Sequence, residues 1–286
     1  MGKVDRMNEP LFDIAVAGAA FLAGVLGSMI GLGGGIIITP VLVLGFGIDI
    51  RYAMGAALCS VIATSSGAAA AYLRDGISNM RVGMFLCTAT TVGAVCGALV
   101  AAHLNTSALS IIFGGALLVT VMLSVRAKKE KPLTDAESDP LALRLRLNGS
   151  FPTADGEQRY GVAGVIPGYL LMWVAGLLSG LLGIGSGAFK VVAMDQVMRI
   201  PFKVTTATSN FMIGVTAAAS VGIYLKKGYL DPALVAPVSL GVLAGAFLGA
   251  RLLTVVPVAL LRVVFLFAVS VIAVQMIARG LGFQIG

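Results

Sequence analysis

The residues with chemistry to offer cluster around two glycine-rich segments. Gly27-Ser28-Met29-Ile30-Gly31-Leu32-Gly33-Gly34-Gly35 leads into Thr39-Pro40, and Ser179-Gly180-Leu181-Leu182-Gly183-Ile184-Gly185-Ser186-Gly187 follows 152 residues later. A glycine inside a helix costs about 1 kcal/mol relative to alanine, so three or four together predict a break. A helix restarting at Ile36 or Ala188 would aim free N–H groups and a positive dipole end into that gap, which favours an anion. Gly33, Gly34, Gly35, Gly185, Ser186 and Gly187 are therefore candidate substrate-binding residues. A blander role, close approach of two helices, suits Gly93/Gly97 and Gly245/Gly249, which have small-xxx-small spacing.

Basic and hydroxyl side chains follow each break. Arg51 and Lys203 enter the next apolar run at the same repeat position. Behind Arg51, Ala56, Ser60, Thr64 and Ala68 form an i, i+4 stripe, while the second copy is more polar, with Thr205, Thr206, Thr208, Ser209, Asn210, Thr216 and Ser220. These groups would line an aqueous path, or else make ordinary interhelical hydrogen bonds. Lys190 stands three residues past the second break, where the first copy has Ile38. An ammonium at that depth costs about 2.5–3.5 kcal/mol, so it needs a partner or a cavity. Asp195 is one partner in reach along the chain, although Asp195 and Arg199 at i, i+4 suit each other.

Other chemistries are poorly supplied. Cys59, Cys87 and Cys96 lie inside apolar runs without C-x-x-C spacing and behave as small packing residues. His103 has no cysteine or carboxylate cluster beside it, so no metal site is expected. Gly185-Ser186-Gly187 has the serine of an intramembrane protease, but the only histidine lies in a connection of the other half and Gly34 replaces the serine there. No catalytic residue is assigned, and an enzyme is not expected. The chain has no G-x-x-x-x-G-K-[ST] loop, so no nucleotide or other cofactor is expected.

The elements that must hold these groups are membrane spans. Of 286 residues, 58% are apolar and only 12% charged, about half the roughly 25% of a soluble domain. Residues 127–160 hold 12 of the 33 charges, six of each sign. The net charge of +7 is loop charge beside lipid headgroups, and no basic patch interleaved with aromatics suggests nucleic acid. Apolar runs cover approximately 11–30, 35–47, 52–73, 82–102 and 107–126, then 161–182, 187–198, 203–225, 233–253 and 257–278. The first is too long for a signal-peptide core and is expected to stay as a span. Each half repeats the same order of one long, one short and three long runs.

A constant shift of 152 residues aligns the halves without a gap: Ala23, Gly24 and Leu26 fall on Ala175, Gly176 and Leu178, and Thr64, Tyr72 and Gly76 fall on Thr216, Tyr224 and Gly228. The expected fold is thus an all-α polytopic membrane protein of two tandem homologous halves. Each half has four long transmembrane helices and one short, glycine-flanked discontinuous helix. Residues 11–126 form the first transmembrane repeat, 127–160 a polar linker, and 161–280 the second repeat. The linker is expected to be solvated, either disordered or a small hairpin suggested by Leu and Arg or Ala alternating over 141–147 before Asn148-Gly149. Arg126, Lys128, Lys129, Lys131, Arg144, Arg146 and Arg159 place it in the cytoplasm. If the short runs cross the bilayer, the halves are inverted repeats and both termini face out; if not, both termini are cytoplasmic.

The doubled glycine break, the basic residue before an Ala-Thr-Ser-type span and the polar central linker resemble the TauE/SafE family of sulfite exporters over about 11–280. Gly31-Leu32-Gly33-Gly34-Gly35 with Pro40 matches the family pattern. In the second copy Ser186 replaces a glycine, and no proline stands near Val192. The resemblance implies a secondary transporter of the cytoplasmic membrane that exports sulfite or a short organosulfonate such as sulfoacetate. A permease of the same plan for another small anion, including uptake, is the alternative. The expected partners are a small anionic substrate and the lipid bilayer, with a homo-oligomer left open.

Overall fold

The computed structural model describes the chain outside residues 1–8, 31–34, 75, 127–132, 134–136, 154–155, 186, 253–257 and 284–286. The first half contains α1 (Glu9–Ile30), the short α2 (Gly35–Pro40), α3 (Ile50–Arg74), α4 (Met80–Ala101) and α5 (Thr106–Arg126). The linker supplies α6 (Pro140–Arg144), β1 (Gly149–Thr153) and β2 (Gly156–Tyr160). The second half contains α7 (Val165–Leu182), the short α8 (Gly187–Val192), α9 (Phe202–Lys226), α10 (Pro232–Leu252) and α11 (Val258–Gly280). Among the described residues, α3, α4, α7 and α9 are long and apolar enough to cross a membrane. Their outer faces carry large apolar side chains, such as Leu170, Leu225 and Met84, each more than 60% exposed. Such a surface suits hydrocarbon and would be costly in water.

Both short helices continue as one wider, π-type segment, Val41–Gly45 and Ala193–Val197. In the first, Pro40 lies just before the widening and lacks the N–H that would hold a tighter turn. The second widens without a proline, so proline is not required for this geometry.

The helices pack in pairs across the two halves, α1 on α10 and α4 on α7, while α3 crosses α9 and α5 crosses α11. Glycines permit the first two contacts. A Cβ on Gly93 would collide with the Trp173 carbonyl, one on Gly97 with the Leu177 carbonyl, and one on Gly245 with the Phe21 carbonyl. These contacts also fix direction. Moving four residues along α4, from Gly93 to Gly97, moves four along α7, from Trp173 to Leu177, so the two helices are parallel. Gly241 against Ala17 and Gly245 against Phe21 make α1 and α10 parallel in the same way. Gly114 meets Ala273 while Gly280 meets Ser107, so α5 and α11 are antiparallel. Met54 with Tyr224 and Ser65 with Gly214 make α3 and α9 antiparallel as well. Gly83 against Thr208 and Thr90 against Thr216 run α4 along α9. Because the short α3–α4 and α9–α10 connections reverse the chain, α1 and α7 point in opposite directions. In each half the short helix brings the chain back, so that α3 repeats the direction of α1 and α9 that of α7.

The linker departs from its expected form. The Leu–Arg alternation over 141–147 does not make a strand: Asp139 accepts a hydrogen bond from the Leu141 N–H at 2.9 Å and Pro140 occupies the first turn, so α6 starts there. The hairpin forms one segment later, with Gly149 opposite Tyr160 and Thr153 opposite Gly156. The linker is also packed rather than simply solvated, with Ala142, Leu147, Phe151 and Tyr160 buried in one cluster with Val82 and Leu86 of α4 and Met194 and Met198. Asn79 fastens it: its amide nitrogen donates to the Leu147 carbonyl and the Tyr160 hydroxyl, both at 2.8 Å, while its side-chain oxygen caps α4 at Val82. Burial pushes the Tyr160 phenol up to about 12, against the opposing effect of the Asn79 hydrogen bond.

Candidate functional site

The second glycine break lies deep in the bundle. Gly183 and Gly185 have φ of +67° and +70°, a left-handed backbone that glycine adopts without strain. A Cβ on Gly185 would stand 2.9 Å from Ile213 of α9 and 3.2 Å from Val61 of α3, both near the middle of their helices. Gly35, the first residue of α2, faces the same place from the other half. Its Cβ position lies 2.6 Å from Val61, 3.5 Å from the Gly183 carbonyl and 3.6 Å from the Ile184 Cα. Gly35 and Gly185 are thus brought together at Val61, and Gly187, two residues on, is the buried first residue of α8. Gly33, Gly34 and Ser186 lie outside the described residues.

Beside this meeting point Lys190 is fully buried. Its ammonium donates to the Thr216 hydroxyl at 2.9 Å and reaches the Met212 carbonyl at 3.4 Å. Thr216 in turn donates to the Met212 carbonyl at 2.6 Å and stands 3.3 Å from the Thr90 hydroxyl. Thr216 and Thr90 sit near the midpoints of α9 and α4, so the cation is held at the centre of the bundle. Both of its acceptors are neutral, and neither is the Asp195 carboxylate expected from chain proximity. Asp195 is four residues before Arg199, in the wider segment that carries the chain away from the break.

The other candidates divide. Thr64 bonds back to the Ser60 and Val61 carbonyls and Ser60 to Ala57. Thr205 bonds to Ile200, Thr206 to Phe202, and the Asn210 amide to Thr206. Such local bonds occupy side chains with their own helix, so they do not form a continuous polar wall. Thr208 receives the Asn79 backbone N–H at 3.0 Å and belongs to the linker anchor. Ser209 differs: its hydroxyl is buried without a hydrogen-bond partner, and it shares a face of α9 with Thr216, seven residues on. Thr39 on α2 and Ser179 on α7 are buried and unpartnered in the same way. Sequence spacing missed these two, and Thr90, because a lone hydroxyl in an apolar run has no pattern.

Arg51 and Lys203 are apart from this centre, at opposite ends of the α3–α9 crossing. Arg51 donates from Nη2 to the Leu104 carbonyl at 2.6 Å and lies 5.5 Å from the centre of the Tyr229 ring. Lys203 is exposed and lines a cavity of about 230 Å3 with Tyr72, Ile77, Phe202, Thr206 and Ala207.

Comparison with known proteins bears on what such a bundle does. The family model described as "Sulfite exporter TauE/SafE" matches residues 16–276. "Probable membrane transporter protein YunE" of Bacillus subtilis (strain 168) is 28% identical over 272 residues, covering 91% of this chain and 95% of its own. "Probable membrane transporter protein YdhB" of the same organism is 26% identical over 246 residues, covering 85% and 91%. No solved structure matches the chain.

Proposed function

The chain belongs to the sulfite exporter TauE/SafE family and is a multi-pass membrane transporter, and from that premise we propose that it exports a small sulfur-containing anion, sulfite or a short organosulfonate such as sulfoacetate. The observation that carries this reading is Lys190, a fully buried cation whose hydrogen-bond acceptors are a hydroxyl and a carbonyl. Neutral dipoles solvate an ammonium without cancelling its charge, so the site attracts an anion while remaining weak enough to release it.

The meeting of Gly35 with Gly183 and Ile184 supports a substrate position where the two halves join. The free hydroxyls of Thr39, Ser179 and Ser209 supply further donors in the interior. The opposite directions of α1 and α7 support inverted repeats, in which one half exchanges its arrangement for that of the other. Sulfur as the central atom of the anion rests on the family.

The test is flux into and out of liposomes containing the purified chain, with sulfite, sulfoacetate, sulfate, acetate and an organic cation. Flux of sulfite or sulfoacetate, with none of the cation, is expected. Flux of the cation alone would overturn the reading.

A further inference from the structure

Two crevices flank the α3–α9 crossing, one at each end, and their walls correspond through the 152-residue shift. Arg51 answers to Lys203, Met54 to Thr206, Tyr224 to Tyr72, and Tyr229 to Ile77. The Lys203 crevice lies on the linker face, because α9 starts there beside Asn79 and the hairpin. The Arg51 crevice lies at the other face, beside the connection between α4 and α5 that contains Leu104. Yet the first is a depression open to the surface that offers about 230 Å3, whereas the second leaves no room for a water molecule.

The difference has a local cause. Arg51 closes its crevice by holding the Leu104 carbonyl and lying over Tyr229. Tyr224 fixes the opposite wall by donating to the Gly180 carbonyl at 3.1 Å. Closure leaves the Arg51 Nε buried without a partner, a donor that opening would release to an anion. At the linker face, lysine lacks the planar fork of arginine and Ile77 offers no aromatic face, so the same seal is not built.

We propose that the two crevices are mouth sites for a short organosulfonate, the Lys203 site open at the linker face and the Arg51 site shut by its own contacts. Lys203 and the Tyr72 phenol would take the sulfonate head beside Thr206, whose hydroxyl stays on the Phe202 carbonyl, and Phe202 and Ile77 the short apolar body. A bare oxyanion would leave that apolar wall wet, since the cavity has room for several waters of about 30 Å3 each. This assignment rests on the anion-transport reading above, and it makes the linker face the loading side.

The experiment uses the full chain, with Cys59, Cys87 and Cys96 replaced by alanine, in phosphatidylcholine vesicles of known orientation. Thr206→Cys and Met54→Cys are made separately and labelled with a membrane-impermeant thiol reagent. Labelling of the Thr206→Cys thiol from the linker face is expected to be at least tenfold faster than labelling of the Met54→Cys thiol from the other. Adding Arg51→Gln is expected to bring the Met54→Cys rate up to within a few-fold of it, and Arg51→Lys to act in the same direction. Ethanesulfonate is expected to slow labelling of the Thr206→Cys thiol at least threefold.

Equal rates at the two thiols, no effect of either Arg51 variant, or no protection by ethanesulfonate would each overturn the proposal. Protection by added phosphatidylglycerol alone would overturn it too, by giving the cavity to a lipid headgroup. Labelling asymmetry with protection, but without flux of any anion, would sink the transport reading and leave the mouth sites standing.

Discussion

Among the described residues, the buried ammonium of Lys190 sets the character of the centre of this bundle. Lys190 is surrounded by the partners that the Thr216 and Met212 backbone and side-chain groups provide, and Ile38 occupies the related position of the other half, equally buried. The interior therefore accepts an apolar group at this repeat position, and the lysine is an addition that stability does not require. Lys190→Met should fold at least as well as the parent. Removing a buried charge that has only neutral partners also removes the cost of desolvating it. The Met212 carbonyl also stays satisfied by Thr216 at 2.6 Å. Anion flux should nevertheless fall about ten- to a hundred-fold, the equivalent of one lost hydrogen bond to a charged group. Thermal unfolding and liposome flux measured on one preparation check both halves of this prediction. Unchanged flux from a normally folded variant would return Lys190 to a packing role.

Helix contacts in this chain are of two kinds, and glycine tells them apart. At Gly97 the helix backbones approach so closely that any side chain meets the Leu177 carbonyl and the Leu181 N–H, both fixed parts of α7. At Gly67, within α3, nothing stands within 4 Å of an added Cβ. Gly97→Val should therefore force α4 from α7 and destabilise by about 1–3 kcal/mol or more, seen as loss of a monodisperse peak and a lower Tm. Gly67→Ala should be neutral or raise stability by up to about 1 kcal/mol, since helix propensity alone is changed. Equal effects at the two sites would show that α4 and α7 are not in backbone contact.

Across the whole molecule, direction is the property with the largest functional consequence. The end of α11 at Gly280 packs on the start of α5, at Ser107 and Ile111. The far end of α5, which leads into the linker, is then on the other face from the C-terminal end of α11. A protease site inserted next to Gln158 in the hairpin and a tag placed after the C-terminus should be cut from opposite sides of the membrane. The hairpin site is expected to be cut only from the cytoplasm, given the basic residues around it. Cleavage of both from one side would mean that the short helices do not return the chain.

The sequence by itself determined the medium and the long apolar helices. Those are local matters: apolar run length and charge placement. It also marked Lys190, since an ammonium in an apolar run is conspicuous wherever it occurs. It left the linker open between a disordered loop and a small hairpin around 141–149; the Leu alternation there is compatible with a helix once Asp139 caps it, and the hairpin lies over 149–160. What only the tertiary structure decided was pairing. The partner of Lys190 is Thr216, 26 residues away on another helix, rather than the nearby Asp195. Most hydroxyls of the polar stripe turn back on nearby backbone, while Ser209 of the stripe, and Thr39 and Ser179 outside it, are buried without a partner. Arg51 and Lys203, 152 residues apart, stand alike in sequence but differ in surroundings: Arg51 holds the Leu104 carbonyl, while Lys203 is exposed beside an open depression. The reason is physical: spacing fixes which side chains share a face, but which faces meet depends on helices brought together from distant parts of the chain.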